Sequence, residues 1–167
     1  PEEKNINELQ PEQLEGFLED GLPPGCEEYP MIPLRGMMIF PYSAVHLDVG
    51  RAKSIQALDE AMLTGREIFF TMHKEVDSDE PAPEDLHEVG TVASIKQVLK
   101  LPGGTVRLLI AGLCRARLEY YSQLEPYAVA VVREQPDVEG QDKKTRLQVE
   151  ALKRRLREAF VSFAALN

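Results

Sequence analysis

Few of the residues able to do chemistry stand where chemistry would need them. His46, His73 and His87 are far apart and belong to no HExxH or Cys/His cluster, so a zinc site would have to be assembled from distant strands. Cys26 and Cys114 lie outside any CxxC pattern, which fits unpaired thiols in a reducing compartment. Ser43, Ser54, Ser78, Ser94, Ser122 and Ser162 all lie outside the GxSxG setting of a nucleophile elbow and read as caps and surface. The chain has no Gly-Lys dipeptide and no GxGxxG, so the common phosphate-cradling loops are missing. Asp77 and Asp79 begin like a calcium loop, but Pro81 and Pro83 take the positions where such a loop needs ligands and a sharp glycine turn. The residues therefore predict no catalytic group, no metal ligand and no bound cofactor.

Apolar side chains in unusual places are the remaining signal. Met37-Met38-Ile39-Phe40-Pro41-Tyr42 gathers two methionines and two aromatics in a proline-bounded stretch. Alternation along an extended chain sends some of them outward, and methionine adapts to many apolar partners. The alternative, that they fill the core of a small barrel, stays open on this evidence. Tyr120 and Tyr121 pose the same choice, because neighbours on a strand face opposite sides.

These residues need elements to hold them. From Tyr29 onward the texture is that of short β-type runs, Met31–Leu34, Met37–Phe40 and Val45–Val49, broken by Pro30, Pro33, Gly36 and Pro41. Proline inside such runs implies edge strands or bulges. Ile55, Leu58, Ala61 and Met62 recur at helical spacing and Gly65 stands at the stop, which predicts one short helix over 51–63. Arg66–His73 reads as a buried strand, and 75–88 as a solvated acidic loop. Residues 88–121 read as a long hairpin, with Gly103 and Gly104 supplying the positive φ of its turn. Pro126–Arg133 alternates as a further strand. In 142–167, Val149, Leu152, Leu156, Phe160 and Phe163 align on one helical face behind an Asp142 N-cap, an apolar seam that wants a partner.

Charge is distributed by segment. The net charge is −9, yet residues 1–28 hold nine acids against Lys4 alone, and the 75–88 stretch adds seven carboxylates with no Lys or Arg. Lys153, Arg154, Arg155 and Arg157 have Glu150 and Glu158 within helical reach, so they read as a solvated helix face. With a pI of 4.9 and no basic stripe, nonspecific nucleic-acid binding is not the expected task. No apolar run approaches the roughly 20 residues of a membrane span.

The run PMIPLRGMMIFPYSAVHLDVGRAKSIQALDEAM at 30–62 resembles the opening of the N-terminal domain of the ATP-dependent Lon proteases. EDLHEVGTVASIKQVLKLPGGTVRLLIAGLCRARL at 84–118 is similar to the acidic loop, hairpin and following strand of the same domain, in the same order. Tyr42, His46 and Gly103 depart from the residues usual in that family. The resemblance implies a β-rich α+β fold, a PUA-like pseudo-barrel of mostly antiparallel strands with one short helix, followed by a C-terminal helix. Composition and pattern divide the chain into an acidic, loosely held leader at 1–28, a β-rich domain at 29–135 and a connection with a helix at 136–167, and the resemblance makes that helix the start of a helical neck.

The function it implies is binding without catalysis. Unfolded or damaged proteins would be the substrates, and other Lon subunits the partners in a hexameric ring. ATP, magnesium and the Ser-Lys protease chemistry would belong to modules this chain lacks, and the location would be the bacterial cytoplasm ahead of the mitochondrial matrix. The expected substrate-binding residues are Met37, Met38, Phe40 and Tyr42, with Arg51 and Lys53 at the mouth of the short helix facing acidic segments. Leu152, Leu156, Phe160 and Phe163 are the expected neck contacts. Two other readings share the fold. A cereblon-like adaptor would carry a further zinc- and aromatic-cage domain, for which a chain with no Trp and two Cys has no material. A PUA-like RNA-binding module runs against the acidic pI.

Overall fold

A glycine turn starts the longest element of the fold. In the computed structural model, which describes residues 22–74, 82–137 and 143–165, Gly103 and Gly104 have φ of 91° and 85°. They join β4 (Val89–Lys100) to β5 (Val106–Gln123), paired antiparallel from Lys100 with Val106 to Val89 with Arg117. Only glycine takes two successive positive φ values without a Cβ penalty. The other edge of β5 is divided between two strands. Its first part pairs with β2 (Ala44–Val49), and its last part with β6 (Val129–Glu134). β4 in turn pairs with β3 (Glu67–Met72).

β1 (Cys26–Leu34) closes the ring. Residues 26–30 run antiparallel to β6, from Cys26 with Arg133 to Pro30 with Val129, and 31–34 run parallel to β3. Each half of β1 is thus laddered on one side only, which accommodates Pro30 and Pro33, residues that cannot donate. The parallel pairing needs a crossover, supplied by β2 and the helix α1 (Ala52–Thr64). The sheet is therefore a ring of strands with β2 appended, a pseudo-barrel short of a true one.

Two apolar clusters fill the two faces of the ring wall. Ile32, Ile68, Phe70, Ala93 and Ile95 pack with Ala57, Leu58 and Ala61 of α1, while Met31, Phe69, Val92, Ala116 and Val132 pack together on the opposite face. Adjacent residues go to opposite clusters, Met31 against Ile32 and Phe69 against Phe70, so these strands read as unbroken apolar runs instead of alternating ones. α1 buries Ser54, Ala57, Leu58 and Ala61 and ends at Gly65, φ 143°.

Several expectations shift. Met37–Phe40 is no strand: residues 35–43 are a loop, although Ile39 is buried. The proline and glycine flanking this run leave it unpaired, and side-chain and backbone partners from β4 and β5 hold it instead. β1 begins at Cys26, so residues 26–28, read as the end of the leader, are paired with β6 because the alternating pattern of β6 extends the ladder that far. The last strand begins at Val129, after a turn at 125–127. Both cysteines are free, with Cys26 buried, and burial raises both thiol pKa values.

The chain divides into two units, Pro1–Gln135 and Pro136–Asn167. The second contains α2 (Lys143–Ala164). The readings of residues 1–21, of Asp77 and Asp79, and of Asp142 as a cap fall outside the described residues.

Candidate functional site

The loop at 35–43 carries exposed apolar side chains on a fixed backbone. Met37, Met38, Phe40 and Tyr42 are 39%, 50%, 58% and 89% exposed. The backbone beneath them is tied at four points. The Thr91 hydroxyl donates to the Ile39 carbonyl at 2.7 Å, and the Ser43 hydroxyl to the Phe40 carbonyl at 2.6 Å. The Tyr42 N–H donates to the Gly112 carbonyl, and the Gly112 N–H to the Ser43 carbonyl, each at 2.9 Å. The approach is so close that a Cβ on residue 112 would lie 2.2 Å from the Phe40 carbonyl oxygen. Met37, Met38 and Phe40 border a cleft of about 420 Å³, with Lys74 and Arg115 also lining it.

Arg51 and Lys53 do not join this face. They line a second cleft, about 660 Å³, between the start of α1 and the turn from β5 to β6. The Arg51 guanidinium donates to the Pro33 carbonyl at 2.6 Å, and the Lys53 ammonium pairs with Glu125 at 2.6 Å. Met31, Leu86, Leu124 and Ala128 supply its apolar lining. Tyr121 lines it as well, its hydroxyl buried with no hydrogen-bond partner among the described residues, and burial pushes its pKa up to about 12. The sequence pattern left Tyr121 open between core and binding patch and missed Leu124, Glu125 and Ala128. They meet α1 only because β1 turns from β6 to β3, a long-range event with no local signature.

Near these clefts lies His73, buried at 2% exposure with both ring nitrogens unpartnered among the described residues. Its pKa is lowered by burial first, then by Arg51 and Arg35, against a smaller opposing pull from Asp85. Such a ring is a poor proton donor and its nitrogens reach no substrate surface. Among the described residues no His, Cys, Asp and Glu group is arranged to hold a metal ion, and no helix is long and apolar enough to cross a membrane.

On α2, Leu152, Leu156, Phe160 and Phe163 are 63%, 72%, 67% and 62% exposed. The seam read from their spacing is an uncovered apolar face of that unit.

The family model described as the ATP-dependent protease La (LON) substrate-binding domain matches residues 28–167. The chain belongs to this family. A Lon protease of Syntrophomonas wolfei is 48% identical to this Lon domain over 141 residues, covering 84% of the chain and 17% of the relative. Lon protease 1 of Bacillus subtilis is 38% identical over 141 residues, covering 83% of the chain and 17% of the relative. The Lon domain thus spans about a sixth of the curated relatives it matches. Its fold is that of the N-terminal domain of a Mycobacterium avium complex Lon protease, with a TM-score of 0.58 at 19% identity, covering 82% of this chain and 74% of that one. A Lon N-terminal domain protein from Xanthomonas campestris has a TM-score of 0.54 at 18% identity, covering 78% and 73%.

Proposed function

We propose that this Lon domain holds non-native protein segments for an ATP-dependent Lon protease of the bacterial cytoplasm, through the face built by Met37, Met38, Phe40 and Tyr42. One observation carries the reading: four large apolar side chains stand exposed on one short loop whose backbone is fixed from β4 and β5. Folded proteins bury such side chains, so a fixed exposed cluster selects partners that expose theirs. Two of the four are methionines, which repack against different partners at little cost.

The chain itself binds and does not cut. ATP and magnesium use and peptide-bond cleavage belong to the remaining length of the relatives. The exposed seam of α2, Leu152, Leu156, Phe160 and Phe163, serves subunit assembly. The paired surface cations, among them Arg107 with Asp48 at 2.7 Å and Arg117 with Glu88 at 2.6 Å, favour this over an RNA-binding reading.

The test is binding of the 167-residue chain to a fluorescent, permanently unfolded protein and to its folded parent. The unfolded form should bind selectively. Met38→Ser with Phe40→Ser should weaken binding by roughly ten-fold, about 1.4 kcal/mol, which corresponds to two side chains that are each only partly buried in the complex. Equal binding of both forms, or indifference to the double change, would remove the basis for the reading.

A further inference from the structure

β2 is the terminal strand of the sheet, and only β5 pairs with it. The hairpin fixes which of its backbone groups are left over. The Leu101 N–H donates to the Thr105 carbonyl at 2.8 Å, and bonded positions alternate along an antiparallel ladder, so Val106, Leu108 and Ile110 turn their backbone groups away from β4 and toward β2. The register matches these three with Val49, Leu47 and Val45. The bond from the Gly112 N–H to the Ser43 carbonyl keeps the same alternation. The N–H and C=O groups of Ala44, His46 and Asp48 therefore point to the second edge of β2, along which no strand of the described residues lies.

Open edges invite pairing, and folds blunt them with lysine, proline or a covering segment. This chain does so elsewhere. β4 parts from β3 once the Ile95 N–H has bonded to the Arg66 carbonyl, and its projecting end carries exposed Lys96 and Lys100. The half-laddered β1 carries Pro30 and Pro33. β2, Ala-Val-His-Leu-Asp-Val, contains no Lys, Arg or Pro. Its one acid, Asp48, is held by the Arg107 guanidinium of β5 at 2.7 and 2.8 Å, which draws the charge toward the paired strand. The chain also enters this edge straight from the apolar face, with Tyr42 and Ser43 leading into Ala44.

We propose that the open edge of β2 receives an extended segment of non-native protein as an added strand, whose main-chain groups pair with Ala44, His46 and Asp48 and whose end reaches the Met37–Tyr42 face. The kind of bond identifies the occupant. Main-chain pairing is indifferent to side chains, which suits a holder of many sequences, and a folded protein has its own backbone groups already paired. A segment that has lost its fold offers free backbone groups and exposed apolar side chains together. The edge takes the first and the loop takes the second. A second copy of this chain fits less well, because each copy has a net charge of −9 and two repel. β2 has six residues, so the held stretch is about 20 Å long. The inference rests on the reading of this domain as a holder of non-native protein and states the form in which the segment is held.

The experiment uses the 167-residue chain and a fluoresceinated peptide of about eight residues in which Leu and Val alternate with Thr. Two further forms carry N-methyl groups, one on the Leu and Val residues and the other on the Thr residues. An added strand turns one of these sets of N–H groups to β2 and the other to solvent. Fluorescence anisotropy should show one methylated form binding about ten-fold more weakly than the parent peptide and the other binding like it. His46→Pro, which removes an outward N–H and no ladder bond, should weaken the parent peptide by a similar factor, with the urea midpoint and the light-scattering mass unchanged. Should that variant unfold, the methylated pair decides on the native chain alone. Methylated forms that bind alike, or a parent peptide that does not bind, overturn the added strand; unfolded protein still captured through Met38 and Phe40 then leaves the apolar face standing. A fall in mass on His46→Pro assigns the edge to a second copy and overturns the proposal. If neither the peptide nor the unfolded protein binds, the parent reading falls and this one with it.

Discussion

Gly112 shows how one residue without a side chain controls four that have large ones. Its backbone meets the loop at 40–43 so closely that a Cβ would lie 2.2 Å from the Phe40 carbonyl oxygen, and that oxygen is on backbone, which cannot swing aside. Gly112→Ala should therefore push the loop away, costing about 1–3 kcal/mol of stability, and weaken unfolded-protein binding even though no binding side chain is altered. Urea midpoints together with the anisotropy assay would check this, and an unchanged midpoint would show that the contact is not tight. His73 sets a second expectation. Its folded-state pKa lies below the ordinary 6.5, so between those two values the unfolded chain binds more protons and stability falls as pH drops. Above about pH 6.5 the ring is neutral in both states and the penalty vanishes. Urea midpoints from pH 8 to pH 5.5 should decline more steeply for the native chain than for His73→Leu, and parallel curves would remove His73 as the cause.

Among the elements, legibility followed the range of the forces. α1 was readable because Leu58 and Ala61 face the core at helical spacing and Gly65 stops the helix, all within one local window. The β4–β5 hairpin was readable for the same reason, through its Gly103-Gly104 turn. Met37–Phe40 looked like a strand because its residue types suit one, but its partners, Thr91 and Gly112, lie far along the chain and bind its backbone outside any ladder. Arg51 and Lys53 read correctly as lying at the mouth of the short helix, but the cleft that holds them is completed by residues 121–128, whose approach no local pattern encodes. For α2, a helix with Leu156 and Phe160 about two-thirds exposed should gain by association. Its helicity by circular dichroism should rise with protein concentration, and Leu156→Ser with Phe160→Ser should lower both that rise and the light-scattering mass. A mass that stays monomeric across concentrations would exclude this seam as an assembly contact.

At the scale of the whole molecule, the net charge of −9 and the apolar character of the Met37–Tyr42 face divide recognition from electrostatics. Capture of an unfolded protein there should show a negative heat-capacity change by calorimetry and should persist from low to moderate salt. A steep loss with salt would instead assign the binding to charge. The ring also has a mechanical side. Its entering strand and its leaving strand are direct partners, Cys26 with Arg133, and the Arg133 guanidinium donates to the Pro24 carbonyl at 2.9 Å. Both ends of the ring thus leave at the same end of one antiparallel ladder. Tension applied between them would open β1 from β6 like a zip, one rung at a time, instead of loading every rung at once in shear. A machine that pulls on what this domain holds would therefore need its load to enter through a bound substrate and leave through only one end of the ring, for the same fold would yield easily if stretched between the two.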